Sequence, residues 1–225
     1  MPTTVFGVDV GMTGNNKDSA INSTNDDIAL GTRDPITIRS GNIIYYISRY
    51  ELSPIPANAI ISSAILTVRS QVTLAVGNYM VNRLLTNWGI TNINAGPEEA
   101  TATQGQATWR RAFDFNGAGG DVNWGNPGAF SAVDYTAAAE DTQVTPATGA
   151  TVDFNLTAMV QDMVTTPGNN FGFMIQSDVP QNNTLYSFDA LAAADAPYLT
   201  VVWELPSTGI TRQSHTAIHT GIAIM

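Results

Sequence analysis

Two runs, Ile43–Leu52 and Ile61–Ser70, constrain the fold more than anything else in the chain. In Ile43-Ile44-Tyr45-Tyr46-Ile47-Ser48-Arg49-Tyr50-Glu51-Leu52 branched and aromatic residues dominate, and the second half alternates in polarity. Such side chains are stiff in a helix and pack well on a pleated surface. Ile61-Ser62-Ser63-Ala64-Ile65-Leu66-Thr67-Val68-Arg69-Ser70 reads as a second long strand, half-buried, with Leu66 and Val68 pointing inward. Further strands are predicted at Tyr79–Leu85, Ala150–Phe154, Phe171–Gln176, Leu185–Phe188 and Tyr198–Leu205, each bounded by Gly, Pro, Asn or Asp. Short strands separated by that turn chemistry imply an all-β sandwich or barrel.

One helix is predicted, over Thr157–Val164. Leu156, Val160, Met163 and Val164 recur at helical spacing, Asn155 or Thr157 can cap the first free N–H groups, and Pro167-Gly168 stops it. The stretch from Asn87 to Thr148 is rich in small residues yet holds Trp88, Trp109 and Trp124. A flexible linker would not contain large aromatics, so it reads as long ordered loops with a core of their own.

Composition excludes whole classes of function. Nine Lys and Arg stand against nineteen Asp and Glu, a net charge of −10, and Lys17 is the sole lysine. A nucleic-acid binder needs a basic stripe and a membrane-surface protein a basic cluster, so neither partner is expected. With no cysteine, thiol nucleophiles, disulfides, iron–sulfur clusters and cysteine-type zinc sites are ruled out. No stretch approaches the ~20 apolar residues of a membrane-spanning helix. The first residues, Met1–Asp9, lack the basic and apolar regions of a secretory signal.

The order of short motifs resembles a known family. Phe6-Gly7-Val8-Asp9, then Tyr46–Leu66 with its Ser53-Pro54-Ile55-Pro56 turn, resembles the opening of DNRLRE-type domains. Val81–Trp88, Gly105–Trp109, Val152–Met163 and Asn170–Ile175 continue the likeness in family order. Tyr186–Asp189 and Ala196–Val201 close it. Met163 stands near where the family often has a tryptophan, and Ser48-Arg49-Tyr50 replaces its usual Arg-Phe-Asp. The resemblance implies a jelly-roll β-sandwich similar to carbohydrate-binding modules, over residues 1–205, with 206–225 as an apolar C-terminal tail. Relatives of that kind occur in bacterial surface proteins and phage particles, some binding polysaccharide. A fold does not fix a function.

Candidate site residues are few. Trp124, in Gly119–Gly128, is the tryptophan read as exposed and able to stack on a sugar, although loop packing is the commoner use of such a residue. Asp121 and Asn123 beside it offer oxygen ligands, with Asn126, that calcium could use; one carboxylate is poor for such a site, and no cofactor is expected. The adjacent pairs Asp26-Asp27, Glu98-Glu99 and Glu140-Asp141 point to opposite faces of any strand they sit on. A glycosidase needs two carboxylates across a cleft. His215 and His219 have the i,i+4 spacing of a zinc pair, but the Glu of the metalloprotease motif is missing. No catalytic residue is assigned.

The tail is the sharpest oddity. Ile218, Ile222, Ile224 and Met225 cluster in an end that would be costly to leave in water, since burying each is worth about 1.5–3 kcal/mol. It either folds back on its own sandwich or docks on a neighbour, for instance by adding a strand to an open sheet edge. The expectation is therefore a non-enzymatic structural subunit of a phage virion, a capsid decoration (cement) or appendage protein. Its partners would be copies of itself or a major capsid or appendage protein. The alternative is a carbohydrate-binding module for a polysaccharide, extracellular or on a cell surface.

Overall fold

The computed structural model describes residues 1–7, 17–24, 27–31, 33–40, 44–89, 100–102, 105–113, 119–128 and 131–207. In chain order the strands are β1 (Thr3–Phe6), β2 (Lys17–Asn22), β3 (Ile28–Ala29), β4 (Ile36–Ile38), β5 (Ile44–Arg49), β6 (Ile60–Val72) and β7 (Asn78–Arg83). There follow β8 (Ala100–Thr101), β9 (Arg111–Phe113), β10 (Val122–Asn123), β11 (Asp141–Val144) and β12 (Thr151–Asn155). After helix α1 (Thr157–Thr165) come β13 (Phe173–Ser177), β14 (Asn183–Leu185) and β15 (Tyr198–Glu204).

Two antiparallel sheets form the predicted all-β sandwich. The first has the order β1-β15-β6-β14-β4, with β12 also paired to β6; the second runs β11-β7-β13-β5-β2. Strand β6 is the spine of the first sheet because it is 13 residues long. Its length lets β15 take Ile60–Thr67, β12 take Ile65–Arg69, and β14 bond at Ser70 and Val72. Leu66 and Val68 face inward and are fully buried, as their alternation predicts.

The main core lies between the sheets: Leu66, Val68, Phe154 and Val201 from the first sheet meet Tyr46, Tyr79, Val81 and Ile175 from the second. Helix α1 closes one end with Met159, Val160, Met163 and Val164. Asn155 Oδ1 accepts the Thr157 N–H at 3.1 Å, which satisfies a free donor of the first turn as predicted. A 3-10 turn at Pro167–Asn169 follows the helix.

The second sheet has a further core on its other side. Ile21, Tyr45, Ile47 and Met174 from the strands pack with Trp88, Ala107, Trp109 and Trp124 from the long loops. This explains why Ile44-Tyr45-Tyr46-Ile47 does not alternate: β5 is buried on both faces. The expectation that the 87–148 stretch holds its own core is met at these residues.

The sequence signals shifted or failed most clearly in two places. The strand predicted at Leu185–Phe188 is β14, which ends at Leu185. There Ser187 turns instead, with Asp34 Oδ1 accepting its N–H at 2.8 Å. No strand was predicted before residue 43, yet β1 to β4 lie there. All six residues of β2, Lys17 and Asp18 among them, are buried. Among the described residues no helix is long and apolar enough to cross a membrane. The tail residues Ile218, Ile222, Ile224 and Met225, the histidine pair, Asp26 and Glu98-Glu99 lie outside the described residues.

Candidate functional site

The loops over the second sheet build the region where the sequence placed its candidates. Arg111–Phe113 and Val122–Asn123 form a short hairpin, β9 with β10, that delivers Trp124 at its end. Trp124 N–H bonds the Arg110 carbonyl at 3.4 Å, and its indole Nε1 donates to Thr108 O at 2.9 Å. Asp134 fixes the next turn. Its fully buried carboxylate accepts the N–H groups of Gly125 at 2.8 Å and Asn126 at 3.2 Å, and from Ser131 both N–H at 3.2 Å and hydroxyl at 2.7 Å. The Thr86 hydroxyl adds a donor at 3.3 Å. A charged acceptor with that many donors ties three loop segments to one atom pair.

Gly128 completes the seat of Trp109. Its φ is +81°, and a Cβ there would lie 2.3 Å from the indole ring, so only glycine lets the backbone lie against the aromatic face. Tyr45 from β5 packs on Trp109 with ring centroids 6.3 Å apart.

Of the two readings of Trp124, loop packing holds and the exposed sugar platform does not: it is 3% exposed, its ring packed in the outer core and its one polar atom bonded to backbone. The hydrogen-bond hub at Asp134 is the reason, because it folds the loop back over the indole. Trp109 and Trp124 nevertheless line the floor of an open groove of about 410 Å³, with Arg110, Asn123 and Pro127 on its walls. Asn123 is exposed at the rim. Asp121 faces Arg111, with 3.6 Å between carboxylate and guanidinium, and does not line the groove. Among the described residues no three His, Cys, Asp or Glu side chains gather as a metal site. Two tryptophans, an arginine, an asparagine and a proline therefore line the groove.

The Glu140-Asp141 pair is put to structural use. Glu140 lies 3.5 Å from Arg83, which also bridges to Asp162 at 3.1 Å, while Asp141 accepts the Asn155 N–H at 2.8 Å. A second groove, of about 420 Å³, runs between the turn after β5 and the end of α1, lined by Arg49, Glu51, Ser53 and Met163 among others.

Sequence reasoning missed the two most unusual ionisable groups, Lys17 and Asp18. As neighbours on β2 they point to opposite faces of the second sheet. Lys17 enters the outer core: its Nζ donates to the carbonyls of Trp88 and Gly89, the latter at 2.9 Å, and sits 4.3 Å from the Trp88 ring centroid. Burial first, and the Arg49 charge second, lower its pKa to about 6. Asp18 enters the main core, where it accepts from Phe188 N–H at 2.8 Å and Tyr46 hydroxyl at 3.1 Å. Burial raises its pKa to about 8, opposed chiefly by the Phe188 bond. The one available signal was that a chain using arginine everywhere else keeps a single lysine.

This is the arrangement of a generic β-sandwich, two packed and antiparallel sheets with loops layered on one of them. Compared by sequence, the chain matches no known family model and no curated protein.

Proposed function

We propose that the chain is a non-enzymatic structural subunit of a larger assembly. In the finer reading, suggested by its resemblance to DNRLRE-type domains, it decorates or cements a phage capsid or forms part of an appendage. One observation carries this reading, the outer face of the first sheet. Across β1, β15 and β6 the register aligns Val5 with Thr200 and Ile65, and Thr3 with Val202 and Ser63. Neither row contains a charge. Exposed Val5, Tyr198 and Ile60 lie on the same face, and no described element covers it. Charge enters this face only at its margins, with Glu204 beside Ile60 and with Asp153 and Arg69 beyond Tyr198; the neutral, partly apolar centre is suited to contact with protein. Rigid two-sheet packing would let it hold a lateral contact without rearrangement.

The test is the native mass of the full-length chain by light scattering over a range of concentrations. A discrete oligomer or concentration-dependent growth is the expected result. A monomer of 23.9 kDa throughout that also gives specific glycan-array signals would overturn it.

A second reading, a carbohydrate-binding module, is favoured by the groove over Trp109 and Trp124. Exposed Asn123 and Arg110 would supply its hydrogen bonds. Asn123→Ala and Arg110→Ala should then weaken glycan signals while leaving the melting curve in place. No signal from the parent chain ends that reading.

A further inference from the structure

We propose that the free edge of β1 accepts residues Thr216–Met225 of a second copy of the chain as an added strand. The proposal rests on the assembly reading above and names its contact. Three of the edge strands are protected. In β2 every residue is buried, in β4 both Ile36 and Ile38 are, and β11 carries Asp141. Strand β1 has none of these devices. It pairs with β15 alone among the described strands. Thr3-Thr4-Val5-Phe6 holds no lysine or other charge to deter a new partner.

The phase of that edge is fixed. The Trp203 N–H bonds Pro2 O at 3.1 Å, and antiparallel bonding alternates by residue. Pro2, Thr4 and Phe6 therefore bond to β15, which leaves the backbone groups of Thr3 and Val5 directed to the free side. Trp203 also locks the strand from within, its Nε1 donating to the Thr4 hydroxyl at 3.1 Å.

The occupant is argued from period and charge. Thr216, Ile218, Thr220, Ile222 and Ile224 alternate with Ala217, His219, Gly221 and Ala223, the two-residue period of a strand with one branched face. Placed beside β1, that face would continue the patch of Val5 and Tyr198. Residues 205–225 contain no acid and include Arg212. The rest of the chain then carries eight Lys and Arg against nineteen acids, 8 − 19 = −11. The tail is thus a segment that another copy's acidic surface attracts.

A second copy fits better than the chain's own tail. Strand β15 ends next to the start of β1, so the short route in the same molecule would run parallel to β1. A tail from another copy can enter antiparallel, the better-bonded pairing in a sheet that is otherwise antiparallel.

Two full-length variants test it: Val5→Lys on the edge, and Ile222→Asp/Ile224→Asp in the tail. Val5 is half exposed, so the lysine is expected to fold; Thr3→Lys serves if it does not. Light scattering should show each variant needing about tenfold more protein than the parent to associate. An equal mixture of the two variants should regain association, because each retains the half that the other has lost. Unchanged association in either variant overturns this contact and leaves the assembly reading intact. Impaired variants that do not complement each other overturn the second copy in favour of the chain's own tail. A parent that stays monomeric overturns both the contact and self-assembly.

Discussion

The two sheets treat their outer faces in opposite ways. On the second sheet, Tyr45, Ile47 and Met174 are covered by Trp88, Trp109 and Trp124, so a strand such as β5 has no exposed face. On the first, Thr3, Val5, Tyr198 and Ile60 remain in contact with solvent. The covered side has its polar groups individually partnered: Trp88 Nε1 to Phe171 O, Trp124 Nε1 to Thr108 O, and five donors to Asp134. The bare side has β-branched residues in neutral rows and an edge strand, β1, that pairs with β15 alone among the described strands. Of the two outer faces, the one under the loops therefore adds a second core to the main one between the sheets, and association has its best surface on the opposite sheet. Residues that fill a covered face should be costly to change, and residues of a bare face nearly free.

Trp88→Ala breaks the comparison most severely. Its indole is fully buried, so truncation should cost about 3–5 kcal/mol, measured by urea or thermal unfolding. A loss below ~1 kcal/mol would mean that the cover is not a core. Next comes Asp134→Ala, which strands the Gly125 and Asn126 donors. A cost of about 1–3 kcal/mol is expected, with Trp124 fluorescence shifting to the red as the loop opens. An unchanged spectrum would remove Asp134 as the organiser of that loop.

The pH dependence sharpens the comparison between the two cores, because Lys17 and Asp18 titrate in different ones. Asp18 has its folded pKa raised from 3.8 to about 8, so its contribution is full below 3.8 and is lost as pH rises toward 8. Lys17 is lowered from 10.5 to about 6; its unfolded form holds the extra proton, so stability grows as pH rises from 6 to 10.5. The two oppose each other between 6 and 8. Stability should thus fall from pH 4 to 6 and rise above 8, each slope at most ~1.4 kcal/mol per unit. Asp18→Asn should flatten the limb between pH 4 and 6 and leave the Lys17 rise unopposed between 6 and 8. A melting temperature that climbs from pH 4 to 6 in the parent would contradict this account of Asp18.

The smallest effect belongs to the bare face. Val5→Thr, a change of like shape at a half-exposed position, should change monomer stability by less than ~0.5 kcal/mol, read as an unmoved urea midpoint. A large loss would show that the outer face of the first sheet is covered after all.

Legibility in the sequence followed local pattern. Alternation set Leu66 and Val68 inward, helical spacing gave α1 with Asn155 bonding the Thr157 N–H at its start, and Gly, Pro and Asn clusters bounded most strands. The run Ile44–Ile47 declared a strand but not its two buried faces, because its second cover comes from residues 40 or more positions away. Strand β2 was hidden for the same reason: Lys17 and Asp18 look solvated until Trp88 and Phe188 enclose them. Trp124 sits among glycines and asparagines that suggest an open loop, because the outer core it joins draws on Ile21, Tyr45, Ile47 and Met174, residues 50 or more positions away.

By itself the sequence determined the class of fold, the helix, and the inward rows of the long strands, since side-chain period and turn chemistry act within a few residues. Only the tertiary structure decided which sheet face is covered, where the single lysine goes, and which strand ends the first sheet among the described residues. Those depend on contacts between segments that local physics does not couple.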